Sequence, residues 1–309
     1  MKQALVTGSS GFVGRHLCAW LLQQGWLVRG LSRRGLAPEG VEAVVCDLLQ
    51  GSVEERCLQG VDVLVHCAAR VHVMDDHAAD PLAAFRKVNV EGTLNLARQA
   101  AQAGVKRFVF LSSIKVNGEA TDGVPFTERD PVVTTDPYGR SKYEAEQGLL
   151  KIAAETTMEV VIIRPPLIYG PGVKANFQKM MQWIAKGVPL PLGAVRNRRS
   201  LVALDNLVDF IGLCMQHPKA ANEVFLISDG EDVSTAELLR RVAKAMGKPA
   251  RLIPVPVGVM RFSLTLAGKQ AVADRLFGSL QVDMSKARTL LGWQPVVSMD
   301  AQLAKMVAP

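Results

Sequence analysis

Ala4-Leu5-Val6-Thr7-Gly8-Ser9-Ser10-Gly11-Phe12-Val13-Gly14 opens the chain with an apolar strand that runs straight into a glycine turn. Gly8, Gly11 and Gly14 have the spacing G-x-x-G-x-x-G. A tight strand-to-helix turn needs a residue without Cβ, and close approach of a pyrophosphate to the backbone needs another. The helix starting here points its free N–H groups and the positive end of its dipole at bound phosphate. The turn predicts a dinucleotide seat built from Gly8 and Gly11 with the backbone of Ser10, Phe12 and Val13.

Working outward, short apolar runs at 3–7, 26–31, 41–46, 61–66, 107–112 and 160–164 alternate with helical patterns at 11–24, 52–58, 81–103 and 138–154. Strands apolar on both faces, separated by helices, predict a parallel sheet covered on both sides. Right-handed crossovers then give a doubly wound Rossmann sheet. After Arg164 the pattern changes: Pro165-Pro166 breaks the chain, and Tyr169-Gly170-Pro171-Gly172 is a turn cluster. Helices near 175–186, 204–216 and 285–291, a capped helix after Ser234 and a strand at 223–227 follow. The fold class is α/β, with a dinucleotide-binding domain over 1–165. A smaller mixed α/β lobe over 166–309 forms the substrate side and returns some segments to the sheet.

The second strand ends at Leu31-Ser32-Arg33-Arg34, with no acid for a ribose hydroxyl. A hydroxyl followed by two guanidinium groups suits a 2′-phosphate, so Arg33 and Arg34 favour NADP(H), with NAD(H) the alternative. Asp47, beside Leu48 at the end of the third strand, suits either an adenine amino group or a strand-ending turn.

Tyr138-Gly139-Arg140-Ser141-Lys142 puts a phenol and an ammonium on one helix face. A free phenol titrates at about 10, too high for ready proton exchange at neutral pH. An ammonium at about 4 Å is worth up to ~4 kcal/mol at an effective dielectric of about 20, enough to lower the phenol by as much as ~3 units. The tuned phenol is a general acid or base. Ser112-Ser113 stands at the carboxyl end of the fifth strand, where ligands bind in such sheets. Ser113 holds the reacting oxygen in this reading.

Composition bounds the rest. The chain has 309 residues, 49% of them hydrophobic, and a net charge of +7. That size buries a large core, and no run is apolar for the length of a membrane span. Met1-Lys2-Gln3 enters the first strand directly, which predicts a chain without a signal peptide. Cys18, Cys46, Cys57, Cys67 and Cys214 are odd in number and lack metal-ligand spacing, as expected of free thiols in a reducing cytoplasm. The modest positive charge is better explained by a diphosphate-bearing small molecule than by nucleic acid.

The residues resemble the extended short-chain dehydrogenase/reductases, in their NAD-dependent epimerase/dehydratase branch. The resemblance spans nearly the whole chain: the glycine turn, His66-Cys67-Ala68-Ala69, Asn89 in Val88-Asn89-Val90-Glu91-Gly92-Thr93, Ser112-Ser113, Tyr138-x-x-x-Lys142 and Arg164-Pro165. It implies catalysis by Ser113, Tyr138 and Lys142, the hydroxyl being assigned to Ser113 by alignment on Gly118. It also implies cofactor contacts from Ala68, Ala69, Asn89, Tyr138 and Lys142. Members usually carry Asn where His66 stands and Tyr where Asn117 stands. The segment from Pro166 to Phe177 is similar to one that closes over the nucleotide, which implies substrate contacts by Asn176, Arg199, Arg275 and Asp283. Trp293, in Leu291-Gly292-Trp293-Gln294-Pro295, corresponds to a packing element. Ser112 to Glu119 and Pro189 to Gly193 are similar to a subgroup from bacterial surface-polysaccharide gene sets. That similarity implies reduction of a UDP-4-keto-6-deoxy-N-acetylhexosamine at C4, with a UDP-N-acetylhexosamine 4-epimerase holding NAD tightly as the alternative. A homodimer is the family's habit.

Overall fold

The computed structural model describes residues 1–50, 53–71 and 80–307, apart from the side chains of Gln50, Ala175 and Asn176. The strands are β1 (Gln3–Thr7), β2 (Leu27–Ser32), β3 (Glu42–Val45), β4 (Val63–His66), β5 (Arg107–Leu111), β6 (Glu159–Arg164), β7 (Leu167–Tyr169), β8 (Arg199–Ala203), β9 (Val224–Leu226) and β10 (Asp232–Val233). The helices are α1 (Phe12–Gln23), α2 (Glu55–Leu58), α3 (Pro81–Arg86), α4 (Thr93–Gln102), α5 (Pro137–Glu155), α6 (Ala175–Ala185), α7 (Leu204–Cys214), α8 (Thr235–Ala245), α9 (Val257–Leu266), α10 (Gln270–Phe277), α11 (Ser285–Leu291) and α12 (Met299–Val307).

Seven parallel strands form the main sheet in the order β3-β2-β1-β4-β5-β6-β9, with the reversal of winding beside β1. Period-two alternation splits each strand between two cores. Ala4, Val6, Val109, Val161 and Ile163 face one layer with α1 and α7, whereas Leu5, Phe108, Phe110, Val160 and Ile162 face the other with α4 and α5. β9 comes from the second half of the chain and pairs with β6 from Ile162↔Val224 to Arg164↔Leu226. Trp293 packs edge-on to Phe210, with ring centroids 4.9 Å apart, and donates its indole N–H to Asp209.

The second lobe has its own three-stranded sheet, β10-β8-β7, and its own core around Tyr169, Phe177, Leu201 and Leu239. The sequence pattern missed β7 and β10, which have three and two residues, and β8, whose apolar run continues without a break into α7. It also missed α9, α10 and α12. The helix expected over 81–103 divides into α3, a π-type turn over Lys87–Gly92, and α4. Such turns insert a residue into the helical ladder and re-aim side chains, here Asn89. Ser234 caps α8 by accepting from Glu237 N at 3.0 Å. Among the described residues no helix is long and apolar enough to cross a membrane.

Candidate active site

Gly8 has φ +66°, and its N–H bonds Leu31 O at 2.9 Å, tying the turn to β2. A Cβ at Gly8 would lie 3.0 Å from the Ala68 backbone, and one at Gly14 would lie 2.2 Å from Gly8 O. The turn, the helix and the loop after β4 therefore close together only because these positions lack side chains. Gly11 caps α1 with no side-chain hydrogen bond, so the first-turn N–H groups of the Phe12–Val13 segment stay directed at the cradle. The cradle fits the pyrophosphate of a nicotinamide dinucleotide. Ala68 N donates to Thr7 Oγ1 at 3.1 Å, which fixes the Ala68-Ala69 wall against β1.

Around that cradle the remaining cofactor candidates divide. Arg33 and Arg34 are exposed on a turn after β2 that Gly35 N closes onto Ser32 O. The Ser32 hydroxyl donates to Leu36 O at 3.0 Å, so it shapes this turn and only the two guanidinium groups face outward. Asp47 accepts from Leu49 N at 3.1 Å and caps the single turn that carries Leu48. Asn89 is buried and engaged by protein groups: it accepts from Arg70 N at 2.8 Å and donates to Ser141 Oγ at 3.0 Å. Ser141 in turn donates to Tyr138 O at 2.8 Å. Asn89 thereby holds the loop after β4 against the helix that carries Tyr138.

That helix, α5, starts at Asp136-Pro137. Asp136 accepts from Gly139 N at 2.8 Å, and Pro137 presets the first turn. A Cβ at Gly139 would lie 2.5 Å from Lys115 O, so the helix start lies directly on the turn that follows Ser113. Lys115 Nζ closes the same junction with an ion pair to Asp136 at 3.1 Å, and it also pairs with Glu119 at 3.0 Å. Ser113, at the end of β5, accepts from Lys115 N at 3.2 Å. These contacts bring Ser113, Tyr138 and Lys142 together at the carboxyl end of β5.

The proton chemistry differs from the sequence expectation. Burial first, and then the Asp136 carboxylate, push the Tyr138 phenol up to about 12, while a hydrogen bond with Ser113 acts in the opposite sense. The expected lowering by Lys142 is corrected for a physical reason. Burial depresses Lys142 itself to about 7, with Glu146 and Cys67 opposing that shift. Its Nζ lies 4.1 Å from the centroid of the Phe110 ring, whose π face partly offsets lost hydration. Near neutral pH the phenol therefore holds its proton, while the amine exchanges one.

Three supporting groups escaped the sequence reading. Asp136 was visible as an Asp-Pro helix start, and Glu146 as the next residue at helical spacing along the face of Tyr138 and Lys142. The third is a buried chain through His66, in which Nδ1 meets Thr7 Oγ1 at 2.8 Å and Nε2 meets Thr93 Oγ1 at 3.0 Å. Both ring nitrogens are thus partnered by threonine hydroxyls, each of which can donate or accept.

In the second lobe Arg199 Nη1 donates to Arg275 O at 3.0 Å and Gly278 O at 3.1 Å. Its guanidinium is pushed below its ordinary value by burial, and no carboxylate pairs with it among the described residues. A half-buried cation without a counter-ion can accept an anion. Arg275 meets Arg199 through its carbonyl, while its exposed side chain bonds Ala271 O at 3.0 Å. Asp283 accepts from Ser285 N at 2.7 Å and shapes the start of α11. Asn176 lies in the first turn of α6, and its side chain is outside the described residues. Tyr169, in the turn segment, is core: its hydroxyl donates to Asp229 at 2.6 Å.

Comparison with known proteins gives the family. The chain is 50% identical over 298 residues to a UDP-glucose 4-epimerase of Vibrio cholerae, across 95% of this chain and 91% of that protein. It is 29% identical over 264 residues to the N-acetyl-alpha-D-glucosaminyl-diphospho-ditrans,octacis-undecaprenol 4-epimerase of Escherichia coli O157:H7, across 83% of this chain and 76% of that one. A short-chain dehydrogenase/reductase superfamily protein of Agrobacterium tumefaciens, solved with bound NAD, superposes with a TM-score of 0.78 at 25% identity, covering 99% of this chain and 95% of its own. The model of the NAD dependent epimerase/dehydratase family matches residues 4–228. With its glycine cradle and its Ser-Tyr-Lys cluster, the chain is an enzyme of the NAD-dependent epimerase/dehydratase family.

Proposed function

We propose that this enzyme carries out redox chemistry at C4 of a UDP-linked hexose, and that its reaction is a 4-epimerisation. The observation that carries this reading is the 50% identity, over 95% of the chain, to a UDP-glucose 4-epimerase. A bound nicotinamide dinucleotide supplies or accepts the hydride. Tyr138 moves the proton of the C4 oxygen, Ser113 orients that oxygen, and Lys142 carries the charge that responds to proton transfer. Arg199 takes the sugar-nucleotide diphosphate, with Asn176, Arg275 and Asp283 as further substrate contacts.

A second reading is favoured by one observation. No acid stands at the end of β2, where Arg33 and Arg34 are exposed. Two guanidinium groups there suit NADPH, a reductant consumed in turnover, and hence reduction of a UDP-4-keto-6-deoxy-N-acetylhexosamine at C4. The Tyr138 phenol, held protonated by its burial, suits a proton donor to a carbonyl. One assay separates the readings. The purified enzyme is given UDP-glucose, UDP-N-acetylglucosamine and enzymatically prepared UDP-4-keto-6-deoxy-N-acetylglucosamine, with NADPH and NADH in parallel. Epimer formation without net loss of nicotinamide absorbance supports the epimerase. Stoichiometric loss of absorbance with the keto sugar alone supports the reductase. No turnover of any of these sugars rejects both.

A further inference from the structure

Helix α9 is apolar on two opposite sides. Val257, Met260 and Leu264 face the lobe core, which accounts for one side. Val259, Phe262 and Leu266, at i, i+3 and i+7, form a second stripe that is 57%, 66% and 74% exposed. Isolated apolar residues on a surface are ordinary, but a stripe along one helix face marks an interaction surface. Further exposed apolar residues stand on the segment that leads into α9. Ile253 is exposed there, and it is joined to the chain after Trp183 and Val188, both also exposed, by Leu190 N to Arg251 O and Ile253 N to Leu190 O, each 2.8 Å.

Charge identifies what the stripe meets. Residues 244–278 hold six cations, namely Lys244, Lys248, Arg251, Arg261, Lys269 and Arg275, against the single carboxylate of Asp274. That carboxylate is taken by Arg261 at 3.1 Å. Lys248, Arg251, Lys269 and Arg275 are exposed and make no ion pair among the described residues. With Lys244 paired to Asp300 at 4.0 Å, four cations without an ion pair remain here, in a chain whose whole net charge is +7. An exposed apolar helix stripe with a basic surround is the pattern of a helix that lies in an anionic bilayer interface.

We propose that α9 and its basic flanks dock this enzyme on the surface of an anionic phospholipid bilayer. Phe262 and Leu266 enter the acyl boundary, while Lys248, Arg251 and Lys269 meet lipid phosphates. The docked face adjoins the substrate side, since α10 packs against α9, and the carbonyls of its Arg275 and of Gly278 just beyond it hold Arg199.

The test is co-sedimentation of the full chain with phosphatidylethanolamine–phosphatidylglycerol vesicles and, in parallel, with phosphatidylcholine vesicles. The expected result is salt-sensitive pelleting with the first and not the second. Each of K248Q and R251Q should weaken partitioning roughly fivefold, from about 1 kcal/mol per cation at the surface. The F262S/L266S pair, at solvent-facing positions, should lose binding while keeping the wild-type melting temperature. Wild-type protein left in the supernatant with anionic vesicles overturns the proposal. So does equal binding to both lipids, or a concentration-dependent dimer that F262S/L266S dissociates, since a second copy would then be the occupant.

Discussion

Glu146 grips Arg164 side-on, its two carboxylate oxygens accepting from Nε at 3.0 Å and Nη2 at 2.5 Å, and the side chains of the pair are only 1% and 6% exposed. The same carboxylate accepts from Ser112 Oγ at 2.5 Å, and Arg164 Nη1 donates to Asn117 at 3.1 Å. One network thus ties α5 one turn beyond Lys142, the end of β6, and both sides of Ser113. Its carboxylate also favours the ammonium form of Lys142. Glu146→Gln keeps the size but removes the charge. Lys142 should then lose its proton at a pH below about 7, and the alkaline limb of the kcat–pH profile should move to lower pH. Glu146→Asp, which keeps the charge, should leave the limb in place. Breaking a buried pair on one side costs about 3–5 kcal/mol, so denaturant titration should show the Gln variant less stable by that order. An unmoved limb in a folded Gln variant would confine Glu146 to a structural role.

Tyr138→Phe removes only the phenolic oxygen. Its neighbours Ser113 and Asp136 are held by their own bonds to Lys115 N and Gly139 N. The fold and dinucleotide affinity should therefore survive, while kcat falls by about 10²–10⁴, the usual contribution of a positioned acid or base. Turnover of the matching UDP-sugar, with nicotinamide fluorescence as the binding readout, checks both halves. Undiminished turnover would remove Tyr138 from the proton path.

Arg199→Ala should act on binding. A charge-assisted hydrogen bond contributes about 1.5–3 kcal/mol, which corresponds to a rise in KM for a UDP-sugar of roughly 10- to 100-fold. Because Arg199 also supports the Arg275 and Gly278 carbonyls, Arg199→Lys is the informative partner. It retains a cation but lacks the planar fork, and should recover part of the KM. If KM is unchanged in both variants, the diphosphate is held elsewhere.

The legibility of the chain follows from how local each signal is. The first six strands and the glycine cradle are written in contiguous runs, so β1 is read to the residue and β2 to β6 within two positions at either end. Tyr138 and Lys142 are legible because helical spacing alone puts them on one face. What lies outside such reading depends on tertiary placement. Neither the strands β7, β8 and β10 nor the turn of α3 into α4 has a periodicity of its own. The sign of the Tyr138 shift depends on burial and on Asp136, which no spacing rule reports. Asn89 reads as a cofactor contact from its motif, yet its amide is already bonded to Arg70 and Ser141.

His66 yields a prediction with a definite pH window. Burial and the nearby Lys142 charge depress its imidazole to about 3, whereas in the unfolded chain it returns to about 6.5. Between those values the unfolded state binds a proton that the native state refuses, so stability rises with pH across the window and is lost as pH falls from 6.5 toward 3. The neutral ring is what the fold favours, because an imidazolium buried between two threonine hydroxyls would have no counter-charge and would lie near the Lys142 ammonium. His66→Asn cannot titrate. Its melting temperature should be lower than wild type at pH 7, from the lost stacking on Phe110 at 5.8 Å, but it should decline less between pH 6.5 and 4.5. Calorimetry at several pH values gives both slopes. Parallel declines in the two proteins would mean that another group, and not His66, sets the acid limit of the fold.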